Sequence, residues 1–536
     1  MFGRYALTRS SPCAPALPRA VSCAAAVAAS LFGCRPGVED VSIGFDVPSA
    51  HGYYLSPSGS DANSGTRQSP WQSFQFAVPR LQPGDTLILL DGVYQRATTG
   101  YPDIRCDVGA KNGTAPGPIT LRADHERAAL IDGDGHSPSF FMQSCSFWVV
   151  DGLRARSVDA ADAPMTPDAG SVFALGNDNH HVVLRRLLAS HPNRFRHTHG
   201  VRIGDASSDV LVEECEVYDY HQNAFETART TAVEFRRNYS HSRQAADVPG
   251  GFTTEDPTRG DVGVLMEETR FALAENNLVE SAKTGVRVMG RSEVVPSDLP
   301  ALATDPVTGN RMLGNVVISP SDSGYRIDSR CMSQVPCTEA TRFPVDTELT
   351  DNVAVGGPAG VSSSGGVGTR ISQFTSVGTN VGVSIVVTPD NVGLRSDSST
   401  VNALAVGFDT AGFLSMGEVT WGFDHCAVAA KAGQTFVPMD AHVTSPIAAD
   451  SAQGQCPVAI PAGSPLKGAG AGGRDVGANA AGRYEGGVLT LTRLWDPSTG
   501  AFPCGAVVVG LNDDPTISCI GAHQRLHVGS LGCAVP

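Results

Sequence analysis

Gly200-Val201-Arg202-Ile203, Ala224-Phe225-Glu226-Thr227, Gly263-Val264-Leu265-Met266, Gly285-Val286-Arg287-Val288, Gly324-Tyr325-Arg326-Ile327, Gly360-Val361-Ser362-Ser363 and Gly382-Val383-Ser384-Ile385 are variants of one short phrase. Each alternates an apolar residue with a variable one, as a strand with one buried face must, and each begins on a small residue that allows a tight turn. A second strand follows most of them, as at Val210-Leu211-Val212-Glu213, Val233-Glu234-Phe235 and Ala272-Leu273-Ala274-Glu275. The undisturbed spacing is about 22 residues and stretches to nearly 40 where loops are inserted, a period that suits a stacked β-coil and not a helical repeat. The phrase therefore predicts a single-stranded parallel β-helix, right-handed by the connection rule for parallel strands.

The bulk composition agrees. A solenoid grows by adding coils, so 536 residues need not mean several domains. With 59 glycines and only 17% charged residues, the chain has the make-up of a turn-rich all-β protein. Its net charge is −15 and its only lysines are Lys111, Lys283, Lys431 and Lys467, which argues against a nucleic-acid partner.

Outward from the repeat, the organisation predicted is a signal peptide over 1–34, a polar linker over 35–48, the β-helix over 49–483 in roughly ten coils, and a disulfide-containing C-terminal cap or small module over 484–536. Arg4, Arg9 and Arg19 precede an apolar run from Val21 to Phe32, the pattern of an export signal. Leu31-Phe32-Gly33-Cys34 resembles a bacterial lipobox, which implies lipidation of Cys34; Arg35 after it favours the outer membrane, and ordinary cleavage with free secretion is the alternative. Without Cys13, Cys23 and Cys34, ten of the 13 cysteines remain, an even number suited to an oxidising compartment. The close pairs Cys331/Cys337, Cys426/Cys456 and Cys504/Cys519 are expected to staple loops, and Cys215 reads equally well as a buried thiol. Phe74, Ala77, Val78 and Leu81 form one apolar side of a short segment that shields the first coil.

Further phrases carry a family resemblance. Pro83-Gly84-Asp85-Thr86-Leu87-Ile88-Leu89-Leu90-Asp91-Gly92-Val93-Tyr94 is a turn, a buried strand and a second turn. Pro118-Ile119-Thr120-Leu121-Arg122-Ala123 and Phe147-Trp148-Val149-Val150-Asp151-Gly152-Leu153 repeat the pattern, and Asp475-Val476-Gly477-Ala478 looks like a closing phrase. With these the chain resembles secreted and surface-attached right-handed parallel β-helix proteins of the pectate-lyase-like superfamily. The resemblance specifies a fold; many activities and some non-enzymes share it.

Because coils stack about 4.8 Å apart, equivalent positions become neighbours. The third position of the phrase gives the outward column Arg202, Glu226, Leu265, Arg287, Arg326, Ser362, Ser384; the fifth gives Gly204, Ala228, Glu267, Met289, Asp328, Ser364, Val386. Charge is concentrated between Gly200 and Asp328. Cations that neutralise a sugar carboxylate, beside a base that takes the neighbouring proton, are what β-elimination of a uronate polymer requires. This arrangement resembles that of the alginate lyase and chondroitinase B family, which implies a Lys base and an Arg at Lys283 and Arg326, although the motifs around them depart from those of that family; from the columns, Lys283 is expected to remove the proton, Arg287 and Arg326 to neutralise the uronate, and Arg202, Glu226, Glu267, Asp328 and His199 to bind substrate. The competing reading of the same residues is a ladder of cross-strand ion pairs, Arg202/Glu226 and Glu267/Arg287, on a non-catalytic glycan-binding or structural protein.

A third reading, a polygalacturonase-like hydrolase, starts from His199-Gly200 with Asn177-Asp178 upstream, but supplies one carboxylate where an inverting hydrolase needs two. Calcium holds the substrate carboxylate in several β-helix lyases; Asp61, Asn63 and Asp261, with Glu255-Asp256, are the oxygen-rich positions here, and an Asx-rich turn reads identically at the first two. The partner expected is a polysaccharide, with the protein a monomer.

Overall fold

The computed structural model describes residues 51–494 except 135, 137, 158–170, 191–198, 219, 221, 242–260, 291–306, 330–342, 387–397, 417–420, 431–442, 445–446 and 449–455. Three long all-parallel sheets run through it, with 14 strands in the first (sheet 1), 11 in the second (sheet 2) and 13 in the third (sheet 3) among the described residues. The chain visits them in rotation: Ser208–Glu213 in sheet 1, Glu216–Tyr218 in sheet 3, Asn223–Ala228 in sheet 2, then Thr231–Arg236 back in sheet 1. This is a right-handed parallel β-helix, with more coils than the roughly ten that the phrase suggests.

The repeated phrase forms sheet 2, and its register is the one read from the spacing. Val201 pairs with Phe225, Phe225 with Val264, Val264 with Val286, Val286 with Tyr325 and Tyr325 with Val361. All six are fully buried. Each such side chain contributes roughly 1.5–3 kcal/mol on burial, so the interior column holds the coils together. The Tyr325 hydroxyl donates to the carbonyls of Asn315 and Val353 at 2.8 and 3.0 Å, which lets a polar tip sit in the core.

Six of the seven phrases open on a glycine, and crowding explains the preference for a small residue there, Ala224 filling the place in the seventh. None of Gly200, Gly263, Gly285, Gly324, Gly360 or Gly382 has a positive φ. A Cβ on Gly263 would lie 2.5 Å from Val279 Cγ1 and 2.7 Å from the Gly285 carbonyl oxygen, so at this coil the corner closes on a bare backbone. Left-handed backbone occurs instead at the corner between sheets 1 and 3, mostly on residues other than glycine: Arg186, Glu214, Arg237, Asn276, Asp351, Gln373 and Asn402. The next position on four successive coils is a buried asparagine. Asn238, Asn277 and Asn315 each pass an amide hydrogen bond to the next in the row, ending at Asn352, at 3.1, 2.9 and 2.9 Å, and all four donate to a core carbonyl. Every buried amide is thereby satisfied.

Cys215 and Cys426 stand at this same corner, just ahead of Glu216–Tyr218 and Ala427–Ala430 in sheet 3. Both are free and buried. The expected Cys426/Cys456 staple is therefore not formed: Cys426 points into the corner, where its thiol donates to backbone carbonyls. A disulfide not foreseen joins Cys106 to Cys145. Cys331, Cys337, Cys504 and Cys519 lie outside the described residues, as do the export signal, Cys34, the linker and Glu255-Asp256.

At the N-terminal end Phe74–Ala77 is one helical turn, capped by the Ser73 hydroxyl, and continues as a 3₁₀ turn over Val78–Arg80. Phe74, Ala77, Val78 and Leu81 enter the main core, as their spacing predicts. At the other end the last parallel strand described is Ile447–Ala448. The chain then turns back. Val458, Ala478, Ala480 and Leu494 pack on the outward column Tyr239, Leu278, Val316, Val353 of sheet 3, and Ile460, Leu466 and Val476 pack on Leu404, Val406, Ala427 and Ala429. Polar contacts run the same way: Ala471 N–H donates to Asn402, Ala478 N–H to Thr375, Asn479 N–H to Asp351 and Tyr484 N–H to Asn276. The segment ends in an antiparallel hairpin, Gly482–Glu485 with Val488–Arg493. Residues 456–494 thus form a strap laid along the side of the coils. Among the described residues no helix is long and apolar enough to cross a membrane.

Candidate functional site

Three columns of side chains face outward from sheet 2. The third and fifth positions of the phrase align as the spacing predicts, with Arg202 beside Glu226, Glu226 beside Leu265, Leu265 beside Arg287 and Arg287 beside Arg326, while Glu267, Met289 and Asp328 follow one another in the fifth. The strand bends at the small corner residue, glycine in most coils and Ala224 in one, and the residue before it also reaches the outer face. That position holds His199, Asn223, Val262, Thr284 and Ser323. Asn223 is a site residue that the two-column reading missed; its signal was its place opposite His199.

These columns bring the charged residues together in two groups. In the first, His199 Nδ1 lies 2.7 Å from Glu226 Oε2, Asn223 Nδ2 donates to the same oxygen at 2.7 Å, and Arg202 Nε donates to Oε1 at 3.2 Å. Glu226 is 4% exposed. Burial by itself raises its pKa, but His199, Arg202 and Asn223 together outweigh burial and hold the carboxyl well below its usual range. Glu226 is thus a buried carboxylate, kept ionised, that anchors an imidazole on one side and a guanidinium on the other. His199 Nε2 and the terminal nitrogens of Arg202 make no hydrogen bond among the described residues.

In the second group Arg287 grips Asp328 through Nε and a terminal nitrogen, at 2.9 and 2.7 Å. Arg326 donates to Asp328 at 2.7 Å and to Asp322 at 2.7 Å. Burial acts to lower the pKa of Arg326, and the two aspartates more than reverse this. Arg287 therefore does not pair with Glu267, which follows Ala228 and precedes Met289 in its own column. Lys283, just before the Thr284–Met289 strand, is 54% exposed and stands 3.8 Å from Asp261. Its backbone carbonyl accepts from the Asp322 N–H, so an aspartate flanks it on each neighbouring coil.

The buried apolar cluster Val262, Leu265, Met289 separates the two groups. Arg287 is three coils from Arg202, about 14 Å at the ordinary strand spacing. The residues assigned from sequence to one centre therefore occupy two neighbouring places on one face. The long insertions between successive phrases, 242–262, 291–310 and 329–346, lie mostly outside the described residues.

The oxygen-rich positions near the N-terminus have structural partners. Asp61 braces the cap residue of the helical turn, accepting from Gln72 N, Ser73 N and the Ser73 hydroxyl, and Asn63 donates to the Pro70 carbonyl. Both are spent on an Asx-rich turn. Among the described residues the one group with metal-like convergence is Asp91, Asp124 and His125, where Asp124 is bound by both ends of the Arg67 guanidinium. Asp178, the carboxylate of the hydrolase reading, is an exposed turn residue after the Ser171–Leu175 strand.

No protein-family model matches the chain. A stretch of 81 residues is 40% identical to pectate lyase PEL9 of Emericella nidulans, covering 15% of this chain and 18% of that protein, so less than a fifth of the relative's length is matched. Among solved structures, XylC in complex with xylose aligns over 75% of this chain and 86% of its own, with 9% identity and a TM-score of 0.49. A mannuronic-acid-specific family 6 lyase from human gut microbiota aligns over 75% and 83%, with 12% identity and a TM-score of 0.48. Pectate lyase Pel9A aligns over 81% and 96%, with 13% identity and a TM-score of 0.39. The chain is a right-handed parallel β-helix that carries pectate-lyase-like sequence over part of its length.

Proposed function

We propose that this protein is a lyase that cleaves an acidic polysaccharide by β-elimination on the outer face of sheet 2. The observation that carries the reading is the row of guanidinium groups on that face, Arg202, Arg287 and Arg326, each fixed by a carboxylate. An arginine held in this way is preorganised to receive a sugar carboxylate, and neutralising that carboxylate is what acidifies the adjacent C–H bond. The partial match to a pectate lyase supports the same class. The two groups on the face form one binding track: one performs the chemistry and the other holds the polymer further along. The assignment drawn from sequence puts the chemistry at Lys283 with Arg287 and Arg326. In this reading the protein is exported, with Cys34 as the lipid anchor at the bacterial surface, and acts as a monomer.

A second reading, a non-catalytic glycan binder, is favoured by one observation: the cations of this face already have carboxylate partners, as a structural ladder would. Incubating the purified protein with a panel of uronate polymers, with and without added calcium, separates the two. Growth of the absorbance of an unsaturated product supports the lyase; retention on a polymer without product supports the binder.

A further inference from the structure

We propose that His199 is the base that removes the proton, that Arg202 neutralises the sugar carboxylate, and that Glu226 is the positioning residue for both. This rests on the lyase reading and names its catalytic centre.

The argument is one of free valence. A base needs an unoccupied nitrogen facing the substrate, and a neutralising cation needs donors not already committed. Arg287 commits two nitrogens to Asp328, and Arg326 divides its own between Asp328 and Asp322. Lys283 is an exposed ammonium group already 3.8 Å from the Asp261 carboxylate. The first group is built the other way. Glu226 takes Nδ1 of His199 and Nε of Arg202, and so turns Nε2 of the one and the terminal nitrogens of the other away from itself. An Nδ1–H donated to the carboxylate leaves a lone pair on Nε2, the tautomer that accepts a proton. Asn223 supports the Glu226 oxygen nearest the imidazole, so the carboxylate is held from two coils.

The step balances within the substrate and this side chain. Nε2 takes the proton from the sugar carbon next to the carboxylate. The electron pair of that C–H bond becomes the new carbon–carbon double bond as the bond to the glycosidic oxygen breaks. The imidazolium then returns its proton to the departing oxygen. Arg202 bears the charge that gathers on the carboxylate meanwhile, and the Glu226 carboxylate stabilises the transient imidazolium. Lys283 and Arg287, about 14 Å away, and Arg326 one coil further, then bind a more distant part of the polymer.

The test compares His199→Gln, Glu226→Gln and Lys283→Ala in the whole protein on the uronate polymer that the wild type cleaves, with thermal midpoints as folding controls. Removing His199 is expected to lower kcat by about 100- to 10,000-fold while KM moves little. Lys283→Ala is expected to raise KM with kcat retained. The groups facing His199 are Glu226, Asn223 and, across Glu226, Arg202. Glu226→Gln removes the acceptor that orients Nδ1–H, so kcat should fall while the thermal midpoint holds, and Glu226→Asp should recover part of it, which a purely structural role would not produce. If His199→Gln folds and keeps kcat, or if Lys283→Ala abolishes it, the centre lies at Lys283 and this proposal fails while the lyase reading stands. A wild type that makes no unsaturated product from any uronate polymer overturns both.

Discussion

Tyr484 donates its hydroxyl to Asp351 at 2.7 Å, across 133 residues of chain and out of contact with solvent. Asp351 sits at the corner between sheets 1 and 3, and its other oxygen accepts from Asn479 N–H. One carboxyl therefore ties the strap to the coils twice. Burial pushes Asp351 above its ordinary pKa, with the two donors pulling in the opposite direction. Removing the hydroxyl by Tyr484→Phe should destabilise the protein by about 1–3 kcal/mol, the usual cost of depriving a buried polar group of a partner. Urea denaturation measures this, with a substitution at fully exposed Leu491 as the silent control.

The asparagine ladder should be among the least tolerant positions. Asn277 donates to Asn315 and to the Phe235 carbonyl, and accepts from the backbone and side chain of Asn238. Asn277→Ala leaves a cavity and several unpaired groups, and is expected to cost at least 2–4 kcal/mol, roughly the sum of two unmade buried hydrogen bonds. Chemical denaturation should show the loss without any change of secondary structure in a protein that still folds.

Glu126 predicts a pH dependence. Burial raises its pKa from 4.5 to about 7, only partly opposed by Arg186 and Arg127. Its folded pKa exceeds its unfolded one, so its contribution is fully present below pH 4.5 and is lost as pH rises through about 7. Glu126→Gln should remove this slope and stabilise the protein at pH 8 by up to about 3 kcal/mol, the equivalent of the shift. The measurement is the unfolding free energy of both proteins between pH 4 and 8; parallel curves would refute it.

Neither free thiol should react in the folded protein. Burial pushes the Cys426 thiol up to about 12 and raises Cys215 as well, and both lie in the corner column. An alkylating reagent applied at pH 8 should label Cys215 and Cys426 only after denaturation, as peptide mass spectrometry would show.

The core should reject charge. Val286 is fully buried between Val264 and Tyr325. Val286→Asp places an unpaired ion there and should cost several kcal/mol or prevent folding, seen as a lost cooperative transition.

What the sequence makes legible follows from the geometry of a stacked coil. A side-chain period of two and a coil period near 22 determine which residues are neighbours, so the columns through Val201 and through Arg202 can be written down before any coordinates exist. The same arithmetic does not show which neighbours bond: Arg287 chooses Asp328 on the next coil over Glu267, and that choice depends on side-chain reach and orientation. It also hides the outward turn of the residue before the small corner residue, because that breaks the period of two, and with it the meeting of His199, Asn223 and Glu226. Contacts outside the repeat are hidden for another reason. Tyr484 and Asp351, 133 residues apart, are brought together by no periodic pattern.

The strap also imposes an order on assembly. Coils can stack as they emerge, each on the one before, because every strand of a solenoid pairs with its neighbour. Tyr239, Leu278, Val316 and Val353 cannot be completed in that way, since the residues that cover them are made only after the last coil. Until then the growing protein carries a line of bare apolar side chains down one flank. Its closing event is lateral, running from the newest coils back toward older ones, and an interruption in synthesis just short of Cys456 leaves a stack of coils with an adhesive side.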